Sequence, residues 1–178
     1  MRSTFSRLLA LFMLSVVVHG QKPREHDLKL PIGGAPGPLD AITDVAGVEV
    51  GHATLISGSG KLLVGTGPVR TGVTVIHPRG KSNADPVFGA WFTLNGNGEM
   101  TGLEWIREAG TLSSPVAITN THSVGVVRDA LVKAEMEART GEEDYWSLPV
   151  AAETYDGTLN DVNGQHVTGP LARGSVLG

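Results

Sequence analysis

Two polar clusters and one Gly-Ser bond are the places where this sequence could do chemistry. In the stretch ITNTHSVG, Asn120, Thr121, His122 and Ser123 stand together where an apolar run gives way to helical spacing, and polar strand ends of this kind are where α/β proteins place chemistry. Helix capping by Thr121 or Ser123 accounts for one of these residues, not four. The adjacency of His122 and Ser123 does not make a catalytic pair, because neighbouring side chains diverge and a triad is recognised in space. A hydrogen-bonded structural histidine explains His122 as well. The second cluster, Glu153, Tyr155 and Asp156 with Asn160 and Asp161 further on, crowds the next strand exit. One carboxylate there could hold a cationic amine, an ion pair worth most when partly desolvated; a solvated acidic turn explains the same residues. Gly174-Ser175 is the type of bond that a self-cleaving hydrolase cuts to free a serine nucleophile, and only Val176, Leu177 and Gly178 follow it.

A third stretch, LNGNGEM from Leu94 to Met100, sets Asn-Gly twice between a strand-like run and a helix-like one. Glycine tolerates positive backbone dihedrals there, and amides at a helix start can face an anion. A tight connection without a ligand is the favoured reading, since glycine-rich turns of this size are common and the lysine and serine of a phosphate loop are missing; the helix dipole accounts for Glu99 in a first turn. His52, His77 and His166 lack ligand spacing, so neither a metal nor a cofactor is expected.

These residues need elements to position them. Val48 to Ile56 and Val69 to Pro78 are β-branched runs bounded by glycine, the strand signature, with an irregular connection between them and a third run in PVFGAWFTL. Gly98 to Ala109 reads as an amphipathic helix with Met100, Leu103, Ile106 and Ala109 on one face, stopped by Gly110. SPVAITN is a short buried strand. From His122 to Thr140, Val124, Val127, Leu131 and Ala134 recur at helical spacing with Glu135, Glu137 and Arg139 outward, and Gly141 ends the run. Leu148 to Glu153 is a further strand, and the Asp/Asn/Gly-rich stretch after it is loop. Strands followed by helices packed over them predict a layered α/β (α+β) fold.

Composition sets the outer bounds. Arg2 and Arg7 precede an apolar run from Leu8 to Val18, interrupted only by Ser15, which predicts a signal peptide over residues 1–20 and an exported chain. A run of eleven residues is too short for a stable membrane anchor, which needs roughly 20. Without that segment twelve basic residues face eighteen acidic ones, a net charge of −6, so a nucleic-acid partner is not expected. The absence of cysteine excludes disulfides, a thiolate nucleophile and zinc-thiolate sites. Residues 21–40, charged and then Gly/Pro-rich, read as an extended arm. Residues 41–178 form one domain, with no internal repeat or linker to support a second.

Five stretches, PGPLDAITDVAGVEVGHATL, GPVRTGVTVIHPRG, FTLNGNGEMTGLEWIREAG, PVAITNTHSVGVVRDA and ETYDGTLNDVNGQHV, together resemble the amino-terminal part of the L-aminopeptidase/D-esterase and β-peptidyl aminopeptidase family, in the same order from about Leu30 to His166. The resemblance implies a precursor that cuts itself once into an α chain and a β chain whose new first residue is the nucleophilic serine. It also implies an αββα sandwich like that of N-terminal-nucleophile hydrolases, assembled as a homo-oligomer. Serine needs a base beside it, and a freed α-amine with a reference pKa near ~8 can serve. Substrates would be short peptides, amides or esters that yield their amino-terminal residue, without metal. In the family the nucleophile is followed by a long apolar strand, so Ser175 is not expected to be that serine. The rest of the α chain, with the asparagine that helps stabilise the oxyanion, and the whole β chain are expected outside this sequence, which leaves it inactive alone. By position, Glu153 is the candidate for holding the substrate amine and Tyr155 for lining the pocket; Asn120 joins them from its place at a strand end. The alternative is a non-catalytic binding or interaction remnant of the same fold.

Overall fold

The computed structural model describes residue 23 and residues 26–83, 85–139, 141 and 144–177. The expected signal peptide at 1–20 lies outside the described residues. The chain divides into two units, Met1–Asp40 and Ala41–Gly178. In the first, the described part holds one 3-10 turn, His26–Leu28, and residues 27–39 are exposed.

The second unit contains, in chain order, β1 (Glu49–Ser57), β2 (Val69–His77), β3 (Val87–Phe88), α1 (Leu103–Ala109), β4 (Thr111–Leu112), β5 (Val116–Asn120), α2 (Val124–Ala138), β6 (Val150–Thr154) and α3 (Gly169–Leu177). The β-branched alternation of VRTGVTVIH makes β2 the middle of the structure: Val69, Thr71, Val73, Val75 and His77 are buried while the residues between them are half-buried, the period-two pattern of a strand. The sheet order is β1-β2-β5-β6. Its first two pairings are antiparallel and the β5–β6 pairing is parallel, so α2 serves as the crossover that returns the chain to the same end of the sheet.

Both α2 and α3 lie on one face of this sheet. Val73, Val75, Ala117 and Ala151 meet Val124, Val127, Ala130, Leu131 and Ala134 of α2, together with Val167, Ala172 and Val176. The expected helical spacing therefore forms the core, and Leu131, with 1% of its surface exposed, contributes on the order of 2 kcal/mol by burial alone. On the other face, Thr74, Ile76, Val116 and Ile118 remain half-buried and His52, Thr54 and Ile56 exposed. The α3 segment, for which the sequence offered no element, seats against β1 at Gly51, where a Cβ would overlap the Ser175 carbonyl oxygen.

Two expectations are corrected. PVFGAWFTL is not a strand of the main sheet: only Val87 and Phe88 pair, with Leu112 and Thr111, in a separate two-stranded ladder. The helix expected over Gly98 to Ala109 begins only at Leu103, because Gly102 at its N-cap has φ 75°, a left-handed conformation that breaks the helical path. Residues 99–101 instead run extended beside β6. The Met100 bridge to Ala152, the Thr101 amide to the Ala151 carbonyl (3.0 Å) and the Glu153 amide to the Glu99 carbonyl (3.1 Å) hold them there. Gly110 ends α1 as expected, at φ 66° and with its amide on Ile106.

Candidate functional site

At the carboxyl ends of β5 and β6 the two polar clusters of the sequence meet. Parallel pairing sets Thr119 beside Glu153 and Asn120 beside Thr154, so whatever follows Asn120 in the chain stands next to Glu153. The hydroxyl of Thr121 donates to Glu153 Oε2, and a Cβ on Gly98 would lie 3.1 Å from Glu153 Oε1. The half-buried Glu153 carboxylate is thus held between the exit of β5 and the Asn-Gly loop. Glu99 lies four positions before the helix start at Leu103, so the dipole account of Glu99 does not apply, and the stretch is a connection that does not open a helix. Its task is to lie along β6.

Asn120 is 2% exposed and committed to the fold. Its Nδ2 donates to Thr71 Oγ1 (2.8 Å), and its Oδ1 accepts from the His122 amide (3.1 Å) and from Ser123 Oγ (2.9 Å). Asn120, rather than Thr121 or Ser123, therefore caps the 3-10 turn Thr121–Ser123 that leads into α2. The Ser123 hydroxyl is spent on that cap, and His122 is exposed. Tyr155 is 72% exposed; its phenol lies over Gly157, where any Cβ would collide with it.

The remaining acidic residues of the second cluster tie loops together. Asn160 Oδ1 accepts from the Arg70 amide (3.0 Å) and its Nδ2 donates to Asp156 Oδ1 (3.0 Å). The Asp161 side chain has no exposed surface and accepts from the amides of Gly65 (2.7 Å) and Gly164 (3.0 Å) and from His166 Nε2 (2.9 Å). The hydrogen bond from His166, reinforced by the two amides against the cost of burial, holds this carboxyl below the ordinary aspartate range. Ser175 is 1% exposed and its Oγ donates to the Leu171 carbonyl one helical turn back (3.3 Å).

Sequence reasoning named Glu153 and the exit it occupies, but weighed Thr121 only as a cap and Gly98 only as a turn residue. The signal that joins them is the parallel register of β5 and β6, which no local pattern reveals. A cavity of about 540 Å³ opens elsewhere, at the amino end of β5. It is lined by His77, Ser114, Glu135 and Arg139 among others and by none of the three candidates. Among the described residues no cluster of three His, Cys, Asp or Glu side chains is placed to hold a metal ion.

Comparison with known proteins bears on what this arrangement does. Residues 40–174 match the model of peptidase family S58. The β-peptidyl aminopeptidase BapA of Sphingosinicella microcystinivorans is 49% identical over 187 aligned positions, covering 98% of this chain and 47% of that protein. Among solved structures, a Burkholderia sp. β-aminopeptidase superposes with a TM-score of 0.76 at 54% identity, over 87% of this chain and 43% of the other. The L-aminopeptidase D-Ala-esterase/amidase of Ochrobactrum anthropi, described as a prototype of the serine aminopeptidases and a variant of the Ntn hydrolase fold, does so at 0.77 and 44% identity, over 87% and 44%. The chain spans about half the length of the curated relatives it matches.

Proposed function

Because the chain belongs to peptidase family S58, we propose that it is the amino-terminal, α-chain portion of an exported serine aminopeptidase that processes itself and releases amino-terminal residues from short peptides, amides or esters. In this reading the attacking serine is the first residue of a β chain contributed by polypeptide outside this sequence, and the complete enzyme is a homo-oligomer. The burial of Ser175 and the donation of its hydroxyl to its own helix support a packing role for it. A nucleophile needs an open approach and an adjacent base.

The observation that carries the reading is the Glu153 carboxylate, half-buried and held at the shared exit of two parallel strands. A substrate ammonium brought beside it exchanges water for a charge-assisted hydrogen bond in a partly desolvated place. A peptide whose amine is acylated cannot make that bond. The carboxylate selects for a free amino terminus, and the chemistry at the carbonyl belongs to the serine.

The test is Glu153→Gln in the complete processed enzyme carrying this chain, assayed with an aminoacyl p-nitroanilide. KM should rise about 30-fold or more, the cost of removing one partner of a desolvated charge pair; an unchanged KM would dispose of the role given to Glu153. The chain by itself should release no p-nitroaniline. Turnover by a species beginning at Ser175 would overturn the location of the nucleophile.

A further inference from the structure

We propose that Thr121 and Gly98 are positioning residues that fix the Glu153 carboxylate in one orientation, one oxygen anchored and the other left open, and so set the preference for substrates with a free amine; this rests on Glu153 being the amine-binding group. A glutamate side chain at a strand end has three rotatable bonds, and one that samples many rotamers must be ordered each time a substrate binds. Here the ordering is built in. The Thr121 hydroxyl donates to Oε2, which leaves Oε1 for an ammonium donor.

Gly98 guards that second oxygen by what it lacks. Its backbone is not in the left-handed region, and the atom an added Cβ would meet is Glu153 Oε1, at 3.1 Å. Conformation therefore does not demand glycine at 98, whereas room beside Oε1 does. The loop cannot easily retreat to make that room. Glu99 accepts from the Glu153 amide, Thr101 donates its amide to Ala151, and the Thr101 hydroxyl both donates to the Pro149 carbonyl (2.7 Å) and accepts from the Ala151 amide (2.9 Å). Residues 99–101 are laced to β6 on the carboxyl side of Gly98. A methyl group at 98 would press on the carboxylate rather than move the backbone.

The two residues come from different elements and act on different oxygens. Thr121 follows β5, and Gly98 belongs to the loop before α1. Both reach Glu153 because β6 lies between β5 and the 99–101 segment. The hydroxyl is the functional part of Thr121: serine keeps the donor, and valine keeps the shape without it.

The experiment compares the complete processed enzyme carrying this chain with its Thr121→Val, Thr121→Ser, Gly98→Ala and Glu153→Gln variants, on an aminoacyl p-nitroanilide and its N-acetyl counterpart. Thr121→Val and Gly98→Ala should each raise KM for the free-amine substrate about five- to tenfold, the scale of one ordinary hydrogen bond, with kcat little changed and with a matching loss of preference over the N-acetyl compound. Thr121→Ser should retain the parent KM. If Glu153→Gln loses the preference while Thr121→Val and Gly98→Ala keep both KM and preference, the positioning role is overturned and the amine-binding role stands. If Glu153→Gln itself keeps the preference, the amine-binding role fails first. Should Thr121→Val not fold, Gly98→Ala with Thr121→Ser decides: a parent-like KM in Gly98→Ala overturns the proposal, and a raised KM beside a parent-like Thr121→Ser supports it.

Discussion

The Asp161 carboxylate is gripped by two amides and His166 near the start of β2, while at the other end of that strand His77 donates Nε2–H to the Val176 carbonyl (3.2 Å). Burial holds the His77 imidazole below its ordinary value, outweighing the Val176 carbonyl and the Glu49 charge that favour its protonation. Both groups therefore have folded-state values lower than in the unfolded chain, so the unfolded chain binds the proton more readily and acid withdraws their contribution. For His77 the loss begins as pH falls below about 6.5, and for Asp161 below about 3.9. Thermal unfolding of the parent and the two variants across pH should show His77→Gln lacking the upper limb of the decline and Asp161→Asn lacking the lower one. An Asp161→Asn profile parallel to the parent below pH 4 would count against the clamp. The place of Glu153 near the carboxyl end of β6 was legible in the sequence because a carboxylate closing a short apolar run stands out. Asn120 was legible only as a polar residue, since a cap and a substrate ligand look alike until their partners are known.

Among the elements, β1 and β2 could be read from their β-branched runs, β5 and β6 from short apolar runs, and α2 from helical spacing, because each of these segments is apolar enough to be buried. The beginning of α1 could not. Met100 and Leu103 fit a helical face, yet backbone bonds to β6 claim residues 99–101 and Gly102 interrupts the path. Glu135 also departs from its outward reading, since Tyr145 and Ser147 both donate to its Oε2. GPLARGSVLG offered no strong amphipathic pattern; as α3 it depends on contact with β1 and α2 instead of intrinsic preference. At one point of that contact Gly51 leaves no room for a side chain, since an added Cβ would overlap the Ser175 carbonyl oxygen. Gly51→Ala should lower stability by about 1–3 kcal/mol, the usual cost of overpacking, read by urea unfolding. An unchanged midpoint would mean that α3 moves away from β1 without penalty.

At the scale of the molecule, the function proposed above predicts that the half-buried face of the sheet, with Ile76, Val116 and Ile118, packs against a second sheet from the serine-bearing portion of the enzyme. Apolar area left in water forfeits about 25 cal/mol per Å². Produced alone, the chain should bind the dye ANS strongly and self-associate, and co-production with the serine-bearing portion of the enzyme should suppress both. Weak dye binding by the isolated chain would argue that this face has no such partner. Nothing in the one-dimensional pattern announces this face, because half-buried strands look alike whether a layer of protein or water covers them.

The extended segment at residues 99–101 has one more effect. By occupying the free rim of β6 it removes half of the sheet's capacity to recruit foreign strands, whereas β1 pairs on one side only among the described residues. Any lateral growth of the sheet, whether useful joining of subunits or runaway fibril formation, is thereby directed to the Glu49–Ser57 rim.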